Sequence, residues 1–243
     1  MIYNKINIML PTYNRVGNGK LPRFVESIMK TASSLDNIVF SFLVNYNDQS
    51  TIDYIRGLKD LQRCILINKD INVPHLGSFY NKLYNQTTFK NDNYIVSMLG
   101  DDMVFNTKDS DLKIIDKVNK YNGIGVFYCN DGNLKNRMCV NIFTTRKFVN
   151  ITTKPFMCEI FRAYFIDTVW FKLGQKTNTL HYLDDILIQH AHYTKTGEKD
   201  ATSKNLDKVK MNFKAAYILV DNYVNSILPI VQRNLKNAVC NKF

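Results

Sequence analysis

The chain has 243 residues, 45% of them hydrophobic, with 32 Lys and Arg against 21 Asp and Glu for a formal charge of +11. That is enough apolar material for a substantial core, and 10 Gly with 5 Pro exclude a fibrous or low-complexity chain. No stretch approaches the roughly 18 to 20 apolar residues of a spanning helix, and no N-terminal segment joins a basic region to an apolar run and a cleavage site, so the expectation is a cytoplasmic protein without a membrane span.

Five cysteines, at 64, 129, 139, 158 and 240, are odd in number, scattered, and form no CxxC. Reduced thiols are expected, not a disulfide framework or a cysteine zinc site. The positive charge favours polyanions such as nucleic acid, an anionic membrane or phosphorylated ligands, although a Lys- and Asn-rich coding bias produces the same balance.

In chain order, INIMLP (6–11) predicts a short buried strand and LPRFVESIMKTAS (21–33) a helix. NIVFSFLV (37–44) predicts a second strand, and STIDYIRGLKDL (50–61) a helix capped by Ser50. RCILIN (63–68), a short helix at SFYNKLYNQ (78–86), YIVSML (94–99), a helix at SDLKIIDKVNKY (110–121) and a strand at GIGVFYCND (123–131) follow, then MCVNIFTTRKFV (138–149). Strands alternating with helices predict βαβ units and a mostly parallel sheet. Runs that are apolar throughout suit strands covered on both faces.

In open α/β sheets ligands bind outside the carboxyl ends of strands. The candidates are therefore Thr12 to Arg15, Asn45 to Asp48, and the diacid Asp101–Asp102 in YIVSMLGDDMVF. Two adjacent carboxylates at the end of a buried strand repel each other unless a cation offsets them, and hard oxygen ligands suit Mg²⁺ or Mn²⁺ bridging to phosphates. An exposed acidic turn is the competing reading.

INIMLPTYNR (6–15) resembles the opening of GT-A glycosyltransferases of the inverting, family-two type, and the diacid is similar to that family's D-x-D motif, here G-D-D. LGSFYNKLY (76–84), NYNDQS (45–50), the D-T-x-W stretch in YFIDTVWFKLG (164–174) and the H-x-H in ILIQHAHY (186–193) follow in the family's order. The overall look is that of small bacteriophage glycosyltransferases, over roughly residues 4 to 200. The resemblance implies a Rossmann-like GT-A α/β domain over 1–200, flanked by helices, with a C-terminal helical extension over 201–243.

The resemblance also implies roles. Thr12, Tyr13, Asn14, Arg15, Asp48, Asn81 and Asp101 would hold a nucleotide-sugar donor, with UDP the family's commonest nucleotide. Asp102 would bind Mn²⁺ or Mg²⁺ together with His190 and His192, and Asp167 would be the base that deprotonates the acceptor hydroxyl. Rival readings stay open: Asp167 as a helix N-cap, the second diacid Asp184–Asp185 as the base or as a turn before a strand at 186, and the histidines as packing residues. Gly17, Gly19 and Lys20 keep a nucleotidyltransferase open, and charge alone a non-catalytic nucleic-acid-binding module. For the acceptor, a hydroxylated base in phage DNA stands beside a cell-surface glycan or lipid-linked sugar.

Lys195 to Lys214 is a basic stretch suited to phosphate. The tail carries Val209, Phe213, Ala216, Tyr217, Val220, Tyr223, Val224 and Ile227 at helical spacing, and Pro229 is expected to break or kink it. Packing on the catalytic domain is its expected role, with dimerisation and membrane docking behind it. The protein is thus expected to be a monomer or homodimer.

Overall fold

A computed structural model describes residues 2–69, 76–86, 93–152, 156–161, 165–191 and 212–240. The first strand, β1 (Lys5–Thr12), lies between β2 (Ile38–Asn45) and β4 (Tyr94–Met98), parallel to both, and β3 (Gln62–Asn68) adds parallel to β2. Beyond β4 the directions change. β7 (Ile142–Thr145) runs antiparallel to β4, and β6 (Val126–Asn130) antiparallel to β7. The long β8 (Leu180–His190) is parallel to β6, and the short β5 (Met103–Phe105) is antiparallel to β8. The eight-stranded order is β3-β2-β1-β4-β7-β6-β8-β5. The alternation in the first half anticipates the parallel part; the antiparallel part follows from β5, β6 and β7, whose connections carry no pairing signal.

Side chains alternate between two cores, as a period-two strand requires. Ile6, Ile8 and Leu10 of β1 enter one core while Met9 enters the other, and Phe127 and Val126 of β6 divide in the same way. The first core also holds Phe24, Val25 and Ile28 of α1 (Lys20–Thr31), Ile52 and Ile55 of α2 (Gln49–Gly57), and Ile114 and Val118 of α4 (Ser110–Lys120). The second holds Leu83 of α3 (Leu76–Gln86), Phe148 of α5 (Arg146–Thr152), Trp170 of α6 (Ile166–Thr177) and Val220 of the last described helix, α7 (Phe213–Cys240). Helices on both faces explain why the strands read as continuous apolar runs.

Several local expectations are corrected. Asp48, not Ser50, caps α2, its side chain accepting from Thr51 N. The stretch 138–149 divides into β7 and α5. Asp184 and Asp185 form no turn before a strand: they lie within β8, both exposed, where the register with β6 jumps from Cys129–Leu183 to Asn130–Leu187. Such an irregularity lets two adjacent residues of one strand face solvent. Pro229 does not end α7: it sits inside the helix, which continues to Cys240.

Helix α7 packs on α5 and α6 and buries Ala216, Val220, Val224 and Val231, whereas Phe213 and Tyr217 remain largely exposed beside Phe165. Asn234 Nδ2 donates to Ile151 O at 3.0 Å, and Lys172 pairs with Asp221 at 2.7 Å. The expected boundary at residue 200 lies outside the described residues. Among those residues no helix is long and apolar enough to cross a membrane, and Cys64, Cys129, Cys139 and Cys158 are free thiols.

Candidate active site

The diacid lies in the turn between β4 and β5, and its two carboxylates face different partners. Asp101, almost fully buried, accepts from Thr12 Oγ1 at 2.8 Å through Oδ2 and meets Arg15 Nε at 3.3 Å through Oδ1. Burial pushes its carboxyl up to about 6 against the pull of Arg15, and the charge of Asp102 adds to the rise. Asp102 turns the other way, its Oδ2 3.4 Å from His190 Nε2. Burial pushes Asp102 up as well, but the hydrogen bond and charge of His190, with Lys20 and Arg15, outweigh it and hold the carboxyl below its ordinary range. The imidazole responds in kind: burial opposes its charge, yet Asp102, Asp131 and Asp167 hold His190 above the usual histidine range. The two carboxylates thus meet different nearest partners, Thr12 of β1 and Arg15 beyond it for Asp101 and His190 of β8 for Asp102. Gly100 leaves room for the Asp102 carboxylate in this position, since a Cβ there would lie 2.5 Å from Asp102 Oδ1.

The turn after β1 is built around Asn14, whose φ of 52° suits a short polar side chain. Its N–H donates to Asp48 Oδ2 at 2.6 Å, while Asp48 Oδ1 accepts from Thr51 N at 3.2 Å and Ser50 Oγ at 3.1 Å. Burial raises Asp48, and these bonds outweigh it, leaving the carboxyl below its ordinary range. Asp48 therefore ties the 12–15 turn to α2. Asn81 is likewise engaged within the protein. Its amide donates to Met157 O at 3.0 Å and Glu159 Oε1 at 2.6 Å and accepts from Met157 N at 2.7 Å, which pins 157–159 beneath α3.

Two cavities open at this end of the sheet. The larger, about 250 Å³, is lined by Thr12, Tyr13, Arg15, Asn45, Phe79, Asp101 and their neighbours. The smaller, about 190 Å³, is lined by Met98, Val140, Phe165, Ile166, Asp167 and His190 among others. They share Leu76, Tyr80, Leu99, Gly100 and Asp102, so Asp102 stands at their junction. Asn14, Asp48 and Asn81 line neither cavity.

Asp167 is in the first turn of α6, and Phe165, not Asp167, occupies the N-cap position. Its Oδ1 accepts from Thr168 N at 2.7 Å, and burial raises its pKa against the opposing bonds of Thr168 and the charge of His190. Asp185 pairs instead with Lys117 at 3.8 Å on α4. His192 lies outside the described residues.

Asp102 and His190 supply a carboxylate oxygen and an imidazole nitrogen within one contact. Completed by phosphate oxygens and water, this mixed oxygen and nitrogen set fits Mn²⁺ better than Mg²⁺, for which Asp102 alone offers the preferred oxygen ligand. Among the described residues no group of three His, Cys, Asp or Glu is placed to hold a metal ion by itself. Tyr80 was not singled out by its sequence context. It is buried, donates to Leu99 O at 2.7 Å and walls both cavities. Leu76, Tyr80 and Leu83 share helical spacing, a signal of a buried face but not of the end that reaches a cavity.

No protein-family model matches the chain, and no curated protein matches it. Solved structures do. TarS from S. aureus superposes with a TM-score of 0.58 at 12% identity, over 76% of this chain and 36% of the TarS chain. TarS residues 1–349 in complex with UDP gives 0.57 at 14% identity, over 76% of this chain and 59% of that one. The mannosyltransferase PcManGT from Pyrobaculum calidifontis, in complex with GDP-Man and Mn²⁺, gives 0.57 at 12% identity, over 99% of this chain and 76% of that one. The fold is therefore the mixed α/β, GT-A-like fold of these proteins. The chain spans little more than a third of the full TarS chain, and the likeness at this identity is one of fold.

Proposed function

We propose that this protein is a metal-dependent glycosyltransferase that moves a sugar from a nucleoside diphosphate sugar, with UDP as the nucleotide, to an acceptor hydroxyl with inversion. The observation that carries the reading is the pair of cavities meeting at Asp102, with the aspartate Asp167 in the wall of the second. The larger takes the donor: Tyr13 offers an aromatic face to the base, and Thr12, Arg15 and Asp101 form the wall beside the ribose and diphosphate. Asn14 and Asp48 hold the turn that carries Tyr13, and Asn81 holds α3 against 157–159. TarS has been solved with UDP and with UDP-GlcNAc, and PcManGT with GDP-Man and Mn²⁺, which supports a nucleotide-sugar donor.

Mn²⁺ or Mg²⁺ would be held by Asp102 and His190, with His192 as a further donor, and would offset the charge of the departing diphosphate. Asp167 takes the proton of the acceptor hydroxyl as that oxygen attacks the anomeric carbon on the side opposite the leaving diphosphate, which inverts the configuration. Its raised pKa suits a base, because proton transfer is most efficient when the acceptor's pKa approaches the working pH. The net charge of +11 supports a polyanionic acceptor, and a hydroxylated base in phage DNA is the acceptor we propose, with a cell-surface glycan as the alternative. Of the basic stretch from Lys195, only Lys214 lies within the described residues.

The test is thermal stabilisation and turnover across UDP-, GDP- and CDP-sugars and nucleoside triphosphates, with and without Mn²⁺. Stabilisation by a UDP-sugar only with Mn²⁺, followed by sugar transfer to hydroxymethylated duplex DNA, is the expected result. Turnover of triphosphates alone points instead to nucleotidyl transfer. Transfer to a glycan, insensitive to salt, keeps the enzyme class and replaces the acceptor.

A further inference from the structure

At the rim of the larger cavity, three side chains form a relay that fixes the sense of a hydrogen bond. Asn45 and Asn68 end the parallel strands β2 and β3 as register partners. Lys82 Nζ, from α3, donates to Asn68 Oδ1 at 3.1 Å, and Asn68 Nδ2 donates to Asn45 Oδ1 at 2.9 Å. An ammonium has donors and no acceptor, so the end of Asn68 that faces Lys82 is its carbonyl. The opposite end of the same amide is then its NH₂, and the end of Asn45 that meets that NH₂ is its carbonyl. Asn68 is 3% exposed, and its backbone carbonyl also accepts from Tyr46 N at 3.0 Å, so the middle member of the relay is firmly seated. Asn45 lines the cavity, and because its Oδ1 faces Asn68, Nδ2 is the end of the amide turned away from Asn68.

We infer that Lys82 and Asn68 are positioning residues that lock Asn45 as a hydrogen-bond donor toward the nucleobase, so that the cavity selects a base presenting a carbonyl there: the 4-carbonyl of uracil over the 4-amino group of cytosine. This rests on the reading of the larger cavity as a nucleotide site. A site built around a committed donor discriminates strongly, because the wrong base sets donor against donor and leaves both unpaired. Asn68→Asp reverses the relay with little change of shape. The carboxylate still meets Lys82, but it only accepts, so Asn45 must turn its NH₂ toward residue 68 and present its carbonyl to the base.

The experiment measures binding of UDP and CDP, with Mn²⁺, to the wild-type chain and to Asn68→Asp, Lys82→Met and Asn45→Asp. Wild type is expected to bind UDP about tenfold or more above CDP. In Asn68→Asp the ratio falls by at least that factor or inverts, and in Lys82→Met it moves toward unity because the ammonium that meets Asn68 Oδ1 is lost. Asn45→Asp, which removes the donor directly, should match Asn68→Asp and serves as the readout should Asn68→Asp fold poorly. A wild type without preference between the two, or an unchanged ratio in both aspartate variants, overturns the relay while leaving the donor site in place. A wild type that binds no nucleotide at all overturns the donor site itself, and the relay with it.

Discussion

Asp102 Oδ2 lies 3.4 Å from His190 Nε2, and a β-ladder sets the distance: Ala191 N donates to Asp102 O at 2.9 Å, next to the register pair Met103–His190. Residues far apart in the chain are thereby held as one unit. Asp102→Asn should abolish Mn²⁺-dependent UDP binding while the unfolding midpoint stays near that of wild type. Calorimetric titration with and without Mn²⁺ checks it, and unchanged metal-dependent binding removes Asp102 from the metal site.

Gly100→Ala probes the same carboxylate without touching it chemically. The new Cβ would lie 2.5 Å from Asp102 Oδ1, so the Asp102 side chain must move. The expected outcome is a folded protein whose transfer rate falls by about 10²-fold, the usual scale for a displaced catalytic group. A rate equal to wild type would show that the position of Asp102 is not critical.

Asp167→Asn should keep donor binding and lose about 10²- to 10⁴-fold in transfer. In the wild type, burial raises the Asp167 pKa, so the basic form is lost at a higher pH than for an ordinary aspartate. The acid limb of the transfer rate should accordingly lie above the range of an ordinary aspartate, and Asp167→Asn should lack that limb. Full activity in this variant assigns the proton to another group.

The buried Asp101 gives a stability prediction with a definite sign. Its carboxyl is raised from 3.8 to about 6 in the folded chain, so the folded state holds the proton more tightly. The associated stability is present below about pH 4 and is lost as pH rises through about 6, worth about 3 kcal/mol for this span. Relative to wild type, Asp101→Asn in metal-free buffer should therefore gain about that much between pH 4 and pH 7, measured by denaturant unfolding. A constant difference across this range would contradict the assignment.

Asp111 has the opposite sign. Its carboxylate accepts from Ser33 N at 2.8 Å, Ser33 Oγ at 2.6 Å and Asn37 Nδ2 at 2.9 Å, tying α4 to the chain that follows α1. Burial opposes the charge, but these bonds outweigh it and lower the pKa. The stability it contributes is present above its unfolded pKa and lost as pH falls through the folded one. Asp111→Ala should cost about 3 kcal/mol near neutral pH, with a smaller deficit in acid. Equal deficits at both pH values would refute the linkage.

The amino-acid sequence by itself determined the strands and helices of the first half, the cores on both faces, and the position of the 12–15 turn and the diacid just after strands. These are local properties: period-two and 3.6-residue patterns set which face is buried, and a diacid after an apolar strand marks a strand's carboxyl end. Part of the packing face of α7, Ala216, Val220 and Val224, was legible on the same grounds. Only the tertiary structure decided which partner each side chain meets. Strand order brings Thr12 to Asp101, 89 positions away, and divides the diacid between β1 and β8. It also turns Asp48 and Asn81 inward to hold backbone, places Asp184 and Asp185 on the outer side of β8, and sets Tyr80 between the two cavities. Sequence pattern carries the period of a strand but not the identity of its neighbour, because pairing is settled by the closing of distant segments into one sheet and by the burial they share.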